Sequence, residues 1–461
     1  MRESRDGSRL VAAALAAALM PLNSTMIAVA LPEIGAEFDT DPAVVTQALV
    51  TSYLVAAIVL QSPAGKVADR VGHARTVAIG QVLVAAGAVL GYVAPSLALL
   101  TVARILMAAG GAVLVPATVA LLRRTLPHEL RGRGFGAFGA VMALAAALGP
   151  LAGGALVDAF GWPSVFVANL PVLAVSVGLG ALAGRVATSE VRGARPRFDW
   201  VGSLLLAAAL TSLVMGLRPD GGHTVALLAA GAALLVPFVL WERRAGDPVV
   251  AFYVFRSVTF SAGTVLVAVQ NLVMYALLFE VPLIAKELLD LGARATGQLL
   301  VSLMLAMVIV SPVGGRLVDR VGARAVALAG SVVALVGIVA LARVDLTAVG
   351  QVAVPLALLG AGLGLATPAA QSASTTAAPA DDAGMAAGIG STMRYLGGLT
   401  GVAVMSLLLD VTGTRAAVVS DHRTLMTVFA GALVIGLVCA TLLPGRIAVG
   451  KPQAEDVQSG I

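Results

Sequence analysis

The chain has 461 residues, of which 59% are hydrophobic and 12% are charged, and its formal net charge is +5. This composition excludes a water-soluble globular protein, because a soluble fold needs more charged surface. The basic residues lie in short loops between apolar runs rather than in one patch, which argues against nucleic-acid binding. Cys439 is the only cysteine, so an internal disulfide and a cysteine-based metal site are excluded.

Runs of about 18 or more residues with few charges predict membrane-spanning helices. The first run follows a basic start and contains Ala28-Val29-Ala30, which also resembles a signal peptide. We expect it to stay uncleaved, because its removal would leave the first half one helix short. The fourteen predicted spans, with no soluble domain between them, are 9-31, 46-65, 75-95, 98-121, 134-157, 162-184, 200-217, 223-241, 257-285, 295-314, 325-343, 349-370, 384-409 and 424-444.

The charge distribution predicts the orientation of these spans. With a cytoplasmic N-terminus, 22 Lys and Arg residues fall on the inner side, 6 on the outer side and 2 within spans. The positive-inside rule then places both termini in the cytoplasm. Arg outnumbers Lys by 27 to 3, which with abundant Ala and Gly is typical of a GC-rich bacterial genome. We therefore expect a multi-pass protein of the bacterial inner membrane.

One charged phrase occurs twice. Gly65-Lys66-Val67-Ala68-Asp69-Arg70-Val71-Gly72 matches residues 315–322 at five positions, with an offset of 250 residues. A charged loop repeated between spans predicts a duplicated membrane protein. Counting spans between the copies gives an all-α architecture with a six-helix bundle (1-184), a linker with two inserted transmembrane helices (185-256) and a second six-helix bundle (257-461).

Two glycine-containing motifs predict a gate. In the repeated phrase, glycine permits a tight turn, Asp can accept from helix-start N–H groups, and Arg can pair with carboxylates; an ordinary positive-inside loop is the alternative. In the fifth span, Ala145, Gly149 and Gly153 share one face, and small residues at this spacing permit close helix contact. Pro150 supplies a bend. The alternative is that this pattern serves only helix packing. The predicted gating residues are Gly65, Asp69, Arg70, Gly72, Arg75, Gly149, Pro150, Gly153, Gly154, Gly315, Asp319, Arg320 and Gly322.

These motifs, together with Arg104-Ile105-Leu106 running to Gly110-Gly111-Ala112, resemble the major facilitator superfamily. The resemblance covers essentially the whole chain and implies two six-helix domains that rock about a central cavity. Its details resemble the fourteen-helix drug:proton antiporter branch, in Leu22-Asn23-Ser24-Thr25 running to Ala30-Leu31-Pro32, Phe166 with Asn169-Leu170-Pro171, Phe198-Asp199-Trp200-Val201-Gly202 and Arg394-Tyr395-Leu396-Gly397-Gly398.

The resemblance implies export of a hydrophobic or amphipathic small molecule, such as a drug or antibiotic, while a proton enters. Small-molecule substrate, protons and membrane lipids are then the partners, with no cofactor, no metal, no nucleic acid and no obligate protein partner. The chain departs from the branch at Asn23, where Asp is usual, and at Met107, where Gln is usual. Asn cannot titrate. A lipid or metabolite transporter with altered or no proton coupling is therefore the alternative, and a non-transporting sensor a further one.

Two charged residues within spans are candidates for proton coupling. Glu280 is the only carboxylate predicted inside a span, six residues and roughly 9 Å from Lys286. Such a group can carry a proton, or it can reach the interface or pair with Lys286. On a straight helix Glu280 lies opposite Asn271, so only a break near Pro282 would turn it toward a cavity. The second candidate, Arg104, serves either coupling or structural hydrogen bonding.

Polar residues near mid-membrane predict substrate contacts or, since the same residue types serve both purposes, hydrogen bonds between helices. No G-x-x-x-x-G-K-[ST], G-x-S-x-G or H-E-x-x-H motif occurs, and all four His are predicted in loops, which argues against a membrane enzyme. The candidate substrate residues are Asn23, Asn169, Gln270, Asn271, Tyr275, Arg394 and Tyr395.

Overall fold

The computed structural model describes residues 2–60, 72–125, 128–182, 199–216, 224–246, 248, 252–344, 346–377 and 383–445. Within these ranges the chain forms helices and no strand. A helix occupies most of every predicted span, and 11 of the described helices are long and apolar enough to cross a membrane. The predicted all-α membrane fold is therefore confirmed.

The helices follow the chain as two sets separated by an inserted pair. The helix Pro42–Leu60 contains a π-helical turn at Gln47–Thr51. The first set is α1 (Arg2–Met26), α2 (Leu31–Glu37), α3 (Pro42–Leu60), α4 (His73–Tyr92), α5 (Leu97–Thr125), α6 (His128–Phe160), α7 (Ser164–Val167) and α8 (Asn169–Leu182). The inserted pair is α9 (Trp200–Gly216) and α10 (Thr224–Glu242). The second set is α11 (Val258–Leu289), α12 (Ala293–Val321), α13 (Ala323–Ala342), α14 (Val349–Ala377), α15 (Ala383–Leu408) and α16 (Arg415–Thr441).

Side-chain caps fix where three of these helices begin. The side chains of Asp41, Ser257 and Thr414 each accept from a backbone N–H of the first turn of α3, α11 and α16. Such a cap satisfies a donor that the helix itself cannot. Because Thr414 caps α16, this helix starts nine residues before the predicted start at 424, and the predicted boundary is wrong.

The second copy of the repeated charged phrase is a helix end rather than a loop. In this copy, α12 continues through Asp319 and Arg320 to Val321, and no side chain caps the start of α13. The turn itself is Gly322, with φ +90°, and Gly72 closes the first copy with φ +92°. The prediction of a capping Asp is therefore wrong for the second copy, whereas the glycine turn is confirmed. Gly65, Asp69 and Arg70 of the first copy lie outside the described residues, and Arg75 is exposed on α4.

Helix packing follows the duplication. In the first half α1 packs on α5, α6 and α8; in the second half α11 packs on α14, α15 and α16. The halves meet where α6 crosses α12. The inserted helices pack mainly on each other, and their exposed Leu204 and Val225 suit a lipid environment. Asp199 joins the pair, because its Oδ1 accepts from the Gly202 N–H at 2.8 Å and from Trp241 Nε1 at 2.7 Å.

Candidate functional site

The Gly-Pro segment of α6 packs tightly on the end of α1. A Cβ at Gly153 would lie 2.6 Å from the Met26 carbonyl oxygen, and a Cβ at Gly149 would meet the side chain of Thr25. Thr25 Oγ1 also donates to the Ala146 carbonyl at 2.9 Å. The close helix contact predicted from the spacing of small residues is therefore present, and it is made within the first half.

The opposite side of the same segment joins the two halves. A Cβ at Gly154 would lie 2.6 Å from the Ala293 carbonyl oxygen at the start of α12. A Cβ at Gly297 would meet the Pro150 carbonyl oxygen and would lie 3.3 Å from the Gly154 Cα. α6 and α12 consequently meet backbone to backbone, which only residues without a side chain allow.

Further contacts between the halves lie at the same end of the bundle. We call this the closed end; it carries loops 38–41, 161–163 and 290–292. Lys286 Nζ donates to the Pro32 carbonyl at 3.1 Å. Burial raises the pKa of nearby Glu33 and Asp158 raises it further, while Lys286 partly offsets both effects. Ser24 lies near the end of α1, seven residues before α2. Its hydroxyl lies 3.4 Å from the hydroxyl of Tyr275 in the other half.

Arg104 is fixed inside the first half by main-chain carbonyls. Its Nε donates to the Leu49 carbonyl at 2.9 Å and its Nη1 to the Asn23 carbonyl at 3.2 Å. The guanidinium carbon lies 4.2 Å from the centre of the Tyr53 ring, a cation–π geometry. Tyr53 in turn donates to the Met20 carbonyl at 2.9 Å. This arrangement gives Arg104 a structural role in joining α1, α3 and α5.

The predicted polar residues are not all gathered in one place. Asn169 donates to the Phe166 carbonyl at 2.7 Å, and Asn271 to the Val267 carbonyl at 2.8 Å, so both amides are bound locally. Gln270 accepts from Thr367 Oγ1 at 2.9 Å. Asn23 meets Arg104 through its main chain, and its side-chain Nδ2 has no partner among the described residues.

Three of the predicted polar residues, Tyr275, Arg394 and Tyr395, are grouped beside the contact of Tyr275 with Ser24 of the other half. α15 carries Arg394 and Tyr395 and lies directly on α11, since a Cβ at Gly398 would be 2.9 Å from the Tyr275 ring. The half-buried Arg394 acts electrostatically on both tyrosines. These residues form the best candidate for a substrate contact, with aromatic surface beside a cation.

Glu280 faces away from this region. Its Oε1 lies 2.6 Å from Nδ1 of His422 on α16, and both side chains are fully buried. The other ring nitrogen, Nε2, lies 3.1 Å from the Leu341 carbonyl oxygen of α13. α11 continues through Pro282 without a break, so the predicted turn toward a cavity is absent. The alternatives of an interfacial Glu280 or a pair with Lys286 are also wrong.

Sequence reasoning missed three residues of these contacts. Tyr53 and Ser24 are uncharged, so no sequence signal distinguished them from other residues of the apolar spans. His422 was assigned to a loop, whereas it lies in the third turn of α16. Its spacing with Val418, Leu425 and Phe429 follows a helical period and would have placed it on the buried face. Among the described residues, no group of three or more His, Cys, Asp or Glu is arranged to hold a metal ion.

Comparisons with known proteins agree with this architecture. The family model of the Major Facilitator Superfamily matches residues 13–402 and 264–459. The tetracenomycin C resistance and export protein of Streptomyces glaucescens is 32% identical over 88% of this chain and 76% of its own length. The multidrug resistance protein Stp of Mycobacterium tuberculosis (strain CDC 1551 / Oshkosh) is 31% identical over 87% of this chain and 75% of its own length.

A solved structure shows the same fold at low sequence identity. A bacterial homologue of the human lysosomal transporter Spinster, crystallised in an inward-facing and unoccupied conformation, superimposes with a TM-score of 0.66. The alignment covers 95% of this chain and 96% of that one at 15% identity. Together with the duplicated helical halves and the contact of α6 with α12, these matches show that the chain belongs to the Major Facilitator Superfamily and is a multi-pass membrane transporter rather than an enzyme.

Proposed function

We propose that this transporter exports a hydrophobic or amphipathic small molecule, of the drug or antibiotic class, across a bacterial inner membrane in exchange for protons. The observation that carries the proposal is the closed end. There α6 and α12 meet backbone to backbone, with Ser24 and Tyr275 of opposite halves facing each other behind the seal. Two duplicated halves that close at one end are the arrangement that alternating access requires.

The charge distribution supports an orientation for this conformation. With 22 Lys and Arg residues predicted on one side and 6 on the other, the positive-inside rule favours the closed end outside and both termini in the cytoplasm. In this orientation the described conformation is shut toward the outside. It is therefore the conformation that would collect a substrate from the cytoplasm or from the inner leaflet.

The residues between the halves support an aromatic or amphipathic substrate. Tyr275 and Tyr395, which are buried in this conformation, have apolar rings with polar hydroxyls, and Arg394 adds a positive charge. Sites that bind small apolar molecules combine such surface with a few polar groups. Glu280 points elsewhere, so a neutral or anionic compound suits this region better than a cation. The two relatives named for antibiotic and multidrug resistance support the same class.

Transport into inverted membrane vesicles tests the proposal. The probes are ethidium as a cation, Nile red as a neutral dye and fluorescein as an anion, each with an acid-inside gradient. We expect the gradient to drive uptake of at least one probe, and nigericin, which dissipates the gradient, to abolish it. Vesicles from cells without the protein are the control. Uptake that does not depend on the pH gradient would contradict proton antiport.

A second candidate is a lipid or metabolite transporter without proton coupling. Asn23 favours it, because this side chain cannot titrate where the related antiporters usually have Asp. The two functions differ in their phenotypes. Drug export predicts resistance in cells that overproduce the protein, whereas a lipid transporter predicts a changed envelope composition at unchanged resistance.

A further inference from the structure

We infer that the proton-coupling group of this transporter is the buried pair Glu280–His422, between α11 and α16 in the second half. The inference rests on the proposed function, since it names the proton site of that antiport. Glu280 Oε1 and His422 Nδ1 are 2.6 Å apart, and neither side chain is exposed. A carboxyl group and an imidazole in direct contact are the two groups best suited to proton transfer near neutral pH.

The contacts of His422 show where its protons lie. The Leu341 carbonyl can only accept a hydrogen bond, so Nε2 of His422, 3.1 Å away, carries a hydrogen. In a neutral imidazole Nδ1 is then an acceptor, and an ionised carboxylate is an acceptor too. Their separation of 2.6 Å therefore requires one additional proton, either on Glu280 or on Nδ1. The geometry is that of a pair loaded with this proton.

Loss of the proton would break one of the two contacts. If Nε2 kept its hydrogen, the Glu280 carboxylate would face the Nδ1 lone pair. If the hydrogen moved to Nδ1, Nε2 would face the Leu341 carbonyl oxygen instead. The pair would also change from net zero to a charge of −1, and a buried uncompensated charge is costly. The closed-end conformation is therefore the proton-loaded state, and proton release favours its opening.

Few other charges act on the pair. Arg423, the next residue of α16, is exposed and acts electrostatically on His422. From α13, the contact is the Leu341 carbonyl. Along α11, Lys286 lies six residues toward the closed end, roughly 9 Å away, and it donates to Pro32. Glu280 Oε2 is buried without a partner among the described residues.

One member of the pair, Glu280, lies on a helix that also contacts the first half. α11 carries Tyr275, which approaches Ser24, and Lys286, which donates to the Pro32 carbonyl. Glu280 lies between them along the helix, on the face toward α16. A change in the packing of α11 on α16 therefore reaches both contacts. In each cycle one proton enters from the outer side, binds the pair and leaves to the cytoplasm, while one substrate molecule moves outward.

The test uses the full-length protein in liposomes with ethidium, Nile red and fluorescein as probes. The variants are Glu280→Gln and His422→Gln, and the matched control is Glu287→Gln, which changes an exposed carboxylate on the same helix. Each is assayed for gradient-driven transport and for counterflow, in which labelled and unlabelled probe exchange without net proton movement. We expect Glu280→Gln and His422→Gln to lose the gradient-driven component and to keep counterflow, and Glu287→Gln to keep both.

The outcomes separate the two proposals. If the wild type is gradient-driven and Glu280→Gln remains so, the pair is not the coupling group, while the proposed antiport stands. If the wild type performs counterflow but no gradient drives it, the proposed antiport is refuted and the coupling role with it. Counterflow that survives in the variants excludes misfolding as the cause of a loss.

Infrared difference spectroscopy between acid and alkaline pH gives a readout that needs no substrate. The buried proton should appear as a carboxylic-acid C=O band if Glu280 holds it, or as an imidazolium band if His422 does. One of these buried bands should change with pH in the wild type and in Glu287→Gln, and it should be lost or shifted in Glu280→Gln. A wild-type spectrum in which neither a buried carboxyl band nor a buried imidazole band changes with pH would overturn the inference even if every variant failed to fold.

Discussion

A methyl group at position 297 should open the closed end. Gly297 of α12 lies against Pro150 and Gly154 of α6, and the nearest atoms belong to the main chain. A main-chain carbonyl on a packed helix cannot turn aside as the end of a side chain can. The substitution Gly297→Ala therefore forces α12 away from α6, and these two helices belong to opposite halves of the transporter.

The size of the effect follows from the cost of overpacking. Extra methyl groups in well-packed regions cost about 1–3 kcal/mol. The higher helix propensity of Ala acts on both conformations alike, because α12 stays helical, and it cancels from the difference. The closed-end state should thus lose about 1–3 kcal/mol relative to the open one, which changes the ratio of the two states by roughly 5- to 150-fold.

Distances between spin labels across the closed end measure this ratio. Labels at Ser96→Cys and Ala416→Cys, both exposed, report on opposite halves when Cys439 is replaced by Ser. We expect the longer distances to gain population in Gly297→Ala. The control is Gly350→Ala, where an added Cβ meets nothing within 4 Å. Identical distance distributions in Gly297→Ala and its parent would refute the contact as a seal.

Three further predictions concern stability and pH. Arg104→Lys should lower the unfolding temperature, because a lysine cannot bind two carbonyls and stack on a ring at once. The expected loss in free energy of unfolding is about 1.5–3 kcal/mol. The control Asn23→Ala should cost under about 1 kcal/mol, since Arg104 contacts only the main chain of Asn23. Gly322→Ala should lower the free energy of unfolding by about 1–3 kcal/mol, because Gly322 has φ +90°. Gly315→Ala should raise it by about 0.4–1 kcal/mol, because Gly315 lies within a helix and an added Cβ meets nothing within 4 Å. Thermal unfolding measures both changes. Burial at the closed end raises the pKa of Glu33 above 4.5, so protonation of Glu33 favours the closed end. The extra closed population is present at acid pH and is lost as the pH rises through the raised pKa. The spin-label distances should show this pH dependence in the parent protein and should not show it in Glu33→Gln.

The parts of the fold that hydropathy and spacing control could be predicted. Long apolar runs have one stable form in a membrane, a helix that satisfies its own backbone, so the spans were identifiable from composition. The contact of Gly149 and Gly153 with α1 followed from four-residue spacing on one face. That Gly154 meets Gly297 of the other half could not be predicted, because no local pattern pairs two glycines so far apart in sequence.

Two local features explain why the sequence did not predict the Glu280–His422 pair: the early start of α16 and the continuity of α11 through Pro282. Polar residues in the first two turns of α16 lower the hydropathy of that stretch, so it resembled a loop, whereas the Thr414 cap and the helical period start the helix there. For Glu280 the helical period was correct in placing it opposite Asn271. The proposed break at Pro282 was unnecessary, because α11 tolerates a proline within a continuous helix.

The two halves stabilise buried charge in different ways, which is consistent with the proposed coupling group in the second half and with Asn at position 23. In the first half, Arg104 is compensated by the Leu49 and Asn23 carbonyls and by the Tyr53 ring. Carbonyl dipoles and a ring quadrupole stabilise the cation without binding a proton, so the charge there is permanent and needs no carboxylate. In the second half, Glu280 and His422 compensate each other only while they share a proton. A permanent charge can fix helices in place, but only a pair that gains and loses a proton can make their packing depend on protons, and this is why we propose the Glu280–His422 pair as the coupling group.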